Sequence, residues 1–239
     1  MSRHPAAGAL ESMLRRYEVR PEAAPALRAL LDLLADPQAP TGVHDPARAI
    51  DVHVADSLAG LEVGELRSAR VITDLGAGAG LPGLVLAAAL PAAHVFLVEA
   101  VGRKCGFLRS TSRAMGLQNT DVVWARAEEW RDGIGRSDVV CARALAGLPV
   151  LCEYAAPLLR DGGVLVAWKG EVMEAETVDA AAAADHLGLE VASVRSVSPF
   201  PGSERLTLHV FHKVSPTPTR YPRRPGIAVK RPLSAKGLC

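Results

Sequence analysis

From residue 70 onward the chain alternates short apolar, β-branched runs with helical segments, and this rhythm limits the fold more than any other feature. The strand candidates are Val71–Leu75, His94–Val98, Asp121–Trp124, Asp138–Ala142, Gly163–Trp168, Leu189–Ser196 and Arg205–His212. Between them the helix candidates are Pro82–Leu90, Arg103–Met115, Leu148–Leu159 and Met173–Leu187. Strands that are apolar throughout and separated by helices form a parallel sheet buried on both faces. The last two strands are separated by little more than Pro199–Ser203, too short for a helical crossover, so they pair antiparallel. Aromatic residues make up only 4% of a chain that is 49% hydrophobic, so Ala, Leu and Val must fill the core.

At the first strand–helix junction stands Asp74-Leu-Gly76-Ala-Gly78-Ala-Gly80-Leu81-Pro82-Gly83. Glycines at such a junction allow a sharp turn and close approach of a ligand to the backbone. The dinucleotide fingerprint Gly-x-Gly-x-x-Gly would place its third glycine at position 81, which is Leu. The spacing here is Gly-x-Gly-x-Gly, which favours S-adenosylmethionine, whose methionine end carries no pyrophosphate. Glu99 ends the next strand, 23 positions after Gly76, where nucleotide-binding folds place an acidic residue for ribose hydroxyls. Arg126-Ala127-Glu128-Glu129 and Cys141-Ala142-Arg143-Ala144 close the third and fourth strands at the same rim, where open α/β sheets bind ligands. The fold expected is a Rossmann-like class I methyltransferase, α/β, with a mostly parallel seven-stranded sheet and a last antiparallel strand.

Three segments follow from the pattern: a helical N-terminal extension over 1–65, a catalytic domain over 66–214, and a basic, Pro-rich tail over 215–239. In the first, Leu27, Leu30, Leu31 and Leu34 recur at helical spacing, and Asp45-Pro46 marks a helix start. The tail carries Arg220, Arg223, Arg224, Lys230, Arg231 and Lys236 and no acidic residue, so residues 1–214 hold five more acidic than basic side chains. It reads as extended and suited to phosphate contact. The four cysteines, Cys105, Cys141, Cys152 and Cys239, lie far apart and form no metal-ligand spacing; they suit reduced thiols in the cytoplasm, with no metal. No secretory leader or unbroken apolar span of membrane length is evident, so no membrane partner is expected.

Taken together, Asp74–Gly83, Arg103-Lys104 with Phe107-Leu108, Arg126-Ala-Glu128, Arg143-Ala144, Lys169-Gly170 and Tyr221-Pro-Arg-Arg-Pro-Gly226 resemble the glucose-inhibited division protein B family, also called RsmG. Asp45-Pro46, His53 and Asp56-Ser57-Leu58 resemble the helix that precedes its catalytic domain. The resemblance implies transfer of a methyl group from S-adenosylmethionine to N7 of a guanine in 16S ribosomal RNA, near the decoding site of the small ribosomal subunit. It implies Gly76, Leu81, Ala127, Glu128 and Arg143 as cofactor-binding residues; the residues' own pattern adds Gly78 and Glu99. Arg126 and Arg205 are implied to face RNA and, with Arg143, to position substrate. Guanine N7 offers a free lone pair in the major groove, so no dedicated general base is required. The alternatives are a methyltransferase for a small molecule or protein, and a non-catalytic RNA-binding module. A small-molecule enzyme would be expected to survive deletion of residues 215–239.

Overall fold

The computed structural model describes residues 5–237; Cys239 lies outside the described residues. Seven strands form one sheet: β1 (Val71–Leu75), β2 (His94–Glu99), β3 (Thr120–Trp124), β4 (Ser137–Arg143), β5 (Leu159–Lys169), β6 (Leu189–Val197) and β7 (Leu206–Lys213). Their order is β3-β2-β1-β4-β5-β7-β6. All neighbours from β3 to β5 are parallel, and β7 lies antiparallel between β5 and β6. The sheet is therefore the mostly parallel one expected, with the last strand of the chain reversed.

Alternation along each strand sends side chains to two cores. Val95, Leu97, Val139, Cys141, Val164 and Val166 face one side; Phe96, Val98, Val140, Ala142, Leu165 and Ala167 face the other. The first face is covered by α1 (Pro5–Arg16), α2 (Ala24–Leu34), α6 (Gly83–Ala89) and α7 (Gly102–Ala114). The second carries α8 (Leu148–Ala155) and α9 (Glu174–Leu187). The N-terminal helices share the first core, because Leu27, Leu30 and Leu34 of α2 are fully buried in it.

A continuous helical stretch runs from α3 (Pro46–Ala49) through Ile50–Ala55 to α4 (Asp56–Ala59), followed after a turn by α5 (Gly64–Ser68). Asp45 caps its start, accepting from the Arg48 amide at 2.8 Å, with Pro46 in the first helical turn. Its middle, Ile50–Ala55, is a π-helix, a wider turn that recurs at functional sites.

Most boundaries differ from the sequence reading by at most one residue, and two differ by four. The helix expected over Leu148–Leu159 stops at Ala155, and β5 starts at Leu159 rather than Gly163. Pro157 supplies no amide to extend the helix, and the chain turns just before it enters the sheet. Pro82 stands just before α6, at its cap, rather than inside it.

Residues 215–237 contain only one short helix, α10 (Ile227–Lys230), and a 3-10 turn at Ala235–Gly237, yet they are firmly anchored. Tyr221, Ala228 and Leu233 are buried in the second core against α8 and α9. Arg223 closes a fork on Glu153: its Nε donates to Oε1 at 2.9 Å and Oε2 at 3.0 Å, its Nη2 donates to Oε2, and its own amide adds a bond to Oε1 at 3.0 Å. Glu153 is fully buried, so this pair replaces the water its carboxylate lost. The Gly226 amide donates to Glu128 at 3.0 Å, and the Ala235 amide to Asp179 of α9 at 2.9 Å. The connection from β3 to β4 offers a reason: it holds only the 3-10 turns Ala127–Glu129 and Arg131–Gly133, where the other parallel crossovers carry α6, α7 and α8. The tail packs beside that thin crossover.

Deleting residues 215–239 therefore does not separate RNA from small-molecule substrates, because it removes part of the core. Truncation before Ser215 is expected to leave Glu153 buried and unpaired, at a cost of about 3–5 kcal/mol, besides the lost apolar burial. Denaturant unfolding of the truncated and full chains measures this; equal stability would show that the tail is not structural.

Candidate active site and cofactor cleft

The carboxyl ends of β1, β2 and β4 meet at the glycine turn. Gly76, Gly78 and Gly80 have φ of +68°, +54° and +89°, in the left-handed region that costs other residues roughly 1–2 kcal/mol. At Gly78 an added Cβ would meet only the Gly76 carbonyl, at 3.6 Å, so the outer side of the turn is open. At Gly76 it would lie 2.6 Å from Leu145 Cδ1, so the Leu145 side chain leans on the turn from the segment after β4. Leu81 is buried beneath the turn, in the first core.

Glu99, nearly buried at the end of β2, ties the turn to the sheet. Its Oε2 accepts from the Gly78 amide at 3.0 Å and its Oε1 from the Val101 amide at 2.8 Å. Asp74, at the end of β1, accepts from the Gly83 amide at 2.8 Å through Oδ2, while its buried Oδ1 has no partner. Burial drives the Asp74 carboxyl up to about 7, against the pull of the Gly83 hydrogen bond and the Arg143 charge.

Arg143 ends β4, and its Nη1 donates to Asp56 Oδ2 at 2.6 Å and to the Val52 carbonyl at 3.1 Å. The sequence pattern placed Arg143 at the rim but did not reveal this partner on the π-helical stretch. Trp168, from the end of β5, fixes the same helix by donating its indole N–H to the Asp56 carbonyl at 2.8 Å. Burial raises the Asp56 carboxyl despite Arg143, and its Oδ1 is buried without a partner. His53 bonds Thr41 at 2.9 Å through Nε2; burial, then the Arg143 charge, lowers its pKa and keeps the ring neutral. Ala144, next after Arg143, has φ +54°, a strained conformation of the kind that clusters at functional sites. The signal that could have found Asp56 is the polar set His53, Asp56 and Ser57 inside a helix otherwise facing the core.

Ala127 and the buried Glu128 form the 3-10 turn after β3, with Glu128 held by the tail amide of Gly226. Arg126 is exposed at the head of that turn. Arg205 stands apart at the β6–β7 connection, 85% exposed, with a loose 3.6 Å ion pair to Glu171. Gly76, Gly78, Leu81, Glu99 and Arg143 are thus brought to one rim, Ala127, Glu128 and Arg126 close the strand beyond Glu99, and Arg205 lies outside the group. Burial raises the Cys141 and Cys152 thiols, so both stay protonated. Among the described residues no group of three or more His, Cys, Asp or Glu could hold a metal ion, and no helix is long and apolar enough to cross a membrane. A recess of about 710 Å³ lies elsewhere, between Arg20–Ala26 and the far ends of α6 and α7.

The open side of Gly78, beside a buried carboxylate at the end of β2, fits a nucleoside cofactor whose amino-acid half lies on the turn. The family model for rRNA small subunit methyltransferase G, GidB, matches residues 26–204. The chain belongs to this family. A ribosomal RNA small subunit methyltransferase G of Rubrobacter xylanophilus is 43% identical over 202 residues, covering 82% of this chain and 77% of the relative. That of Roseiflexus castenholzii is 45% identical over 197 residues, covering 81% and 83%. The structure of precorrin-6y C5,15-methyltransferase from Geobacter metallireducens superposes with a TM-score of 0.51 at 20% identity, over 66% of this chain and 87% of that one; it shares the fold. The family match contains the glycine turn, the π-helical stretch and Arg143, and ends one residue before Arg205.

Asp74 gives a pH prediction. Its carboxyl sits near 3.8 when unfolded and is raised to about 7 in the fold. The folded state therefore holds the proton more tightly, and this part of the stability is fully present below about pH 4 and is lost as pH rises through 7. Asp74→Asn keeps an acceptor for Gly83 and removes the titration. The stability difference between the variant and the parent is expected to shift in the variant's favour by up to about 3 kcal/mol between pH 5 and 8. Denaturant melts at both pH values measure it; a difference that does not move with pH contradicts a buried, titrating Asp74.

Proposed function

We propose that this chain transfers a methyl group from S-adenosylmethionine to N7 of one guanine in the 16S ribosomal RNA of the small subunit, near the decoding site. The observation that carries the reading is the family match over residues 26–204, coinciding with an open glycine turn braced by Glu99. In this reading Gly76, Gly78 and Leu81 shape the seat for the methionine half, and Glu99 accepts from the ribose hydroxyls. Ala127 and Glu128 wall the adenine. Bound there, the cofactor supplies an electrophilic methyl group on a sulfonium.

The chain's own residues then have a limited task. N7 needs no proton removed, so the protein must hold the base in line and keep water out, an effect worth up to roughly 7–11 kcal/mol. The guanine gains positive charge as it is methylated, which the carboxylate of Asp56 at the same rim would offset. An arginine on the base suits O6 alone, since a fork over O6 and N7 would block the nucleophile. Arg143 is half committed: Nη1 is held by Asp56 and Val52, while its Nε and Nη2 make no hydrogen bond to described residues. Arg126 and Arg205 are exposed and suited to phosphate contact. N7 in regular A-form RNA lies in a groove too narrow for side chains, so the target guanine belongs in a loop or out of its stack. A substrate on the small ribosomal subunit sets the reaction in the cytoplasm.

Incubation with methyl-labelled S-adenosylmethionine and small subunits lacking the modification is expected to place label on guanine N7 of 16S RNA. Label on another atom, or on protein alone, rejects the proposal. Gly78→Val puts a branched side chain on the open side of the turn and is expected to abolish cofactor binding by calorimetry, while costing roughly 1–2 kcal/mol of stability. Unchanged affinity would remove the turn from the site.

A further inference from the structure

The tail and the β3–β4 crossover bring cations from distant parts of the sequence to one corner of the molecule. Gly226 is bonded to Glu128, two positions after Arg126, and Pro222 and Arg131 line one small recess with Ala127 and Tyr154. Arg223 is turned inward to Glu153. The neighbours Arg224, Lys230 and Arg231 are exposed, as are Arg126 and Arg131, and none of the five forms an ion pair among the described residues. Residues 215–239 carry six basic and no acidic side chains, while the rest of the chain has an excess of five acidic ones.

We propose that this corner, with Arg224, Lys230 and Arg231 on the docked tail continuing from Arg126 and Arg131, is a phosphate-binding surface. It would grip the RNA backbone beside the cleft, at nucleotides other than the one methylated. The inference rests on the proposed RNA substrate and adds where and how that RNA is held. Two features support it. The cations sit on a segment fixed by a buried ion pair and by backbone bonds to Glu128 and Asp179, so little ordering entropy opposes binding. The excess negative charge of the remaining chain disfavours polyanion binding over much of the other surface, which makes this corner stand out.

The test is salt-dependent binding of the full chain to small-subunit 16S RNA, with the triple variant Arg224→Gln, Lys230→Gln, Arg231→Gln. These side chains are exposed and lie outside the cofactor cleft, so S-adenosylmethionine affinity is expected to stay unchanged by calorimetry. RNA affinity should fall roughly tenfold or more, and the slope of log affinity against log salt should become shallower by about two to three. A control variant removes the same three charges at the exposed Arg15, Arg20 and Arg113. An unchanged slope in the tail variant, or an equal loss in the control, overturns the surface. If the parent binds the RNA and the tail variant shows the predicted slope change, but the parent places no label on guanine N7, the surface stands and the functional proposal fails. If the parent does not bind the RNA, both fall.

Discussion

The site depends on one constraint: a backbone that leaves β1 must turn sharply at the carboxyl end of the sheet while its amides keep partners, Gly76 and Ala77 on the Val98 carbonyl and Gly80 and Leu81 on the Ala77 carbonyl. Three left-handed glycines make that turn possible, and the Glu99 carboxylate fixes it by accepting from Gly78. Without the glycines, side chains would strain the turn and fill its open side. Without Glu99, two backbone amides at the rim would lack partners, at about 1–3 kcal/mol each where buried. Asp74 repeats the device from beneath, holding the Gly83 amide at the start of α6. The turn is thus preformed by acceptors from two adjacent strands.

A second brace comes from outside the sheet. Arg143, at the end of β4, is joined to Asp56 and Val52 on the π-helical stretch, and Trp168 from β5 holds the Asp56 carbonyl. The N-terminal helices are therefore part of the rim. Replacing Arg143 would leave Asp56 as a buried, unpaired carboxylate, so loss of activity in such a variant mixes catalytic and structural effects.

Much of this was legible in the sequence, for physical reasons that differ by element. Parallel strands buried on both faces leave continuous apolar runs, and β1 was readable to the residue. The short link between β6 and β7 dictated the reversed strand. The glycine turn was legible because positive φ restricts residue choice. The Arg143–Asp56 pair was not, because the two lie 87 positions apart and nothing local encodes the contact. Nor was the anchoring of the tail: proline and arginine suggest a solvated strand, and only the buried Glu153 carboxylate and the thin β3–β4 crossover give them a place to pack. Glu128 was legible as a rim carboxylate, but the bond it accepts from the tail amide of Gly226 was not.

The central claim is that the turn from Asp74 to Gly83 receives the cofactor. Backbone amide NMR of the full chain during titration with S-adenosylmethionine tests it most directly. The account predicts that the largest shifts fall on Gly76, Gly78 and Val101, the amides of the turn and of the Glu99 brace. Shifts confined to the recess lined by Arg20, Met115 and Asn119, with the glycine turn unmoved, would contradict it.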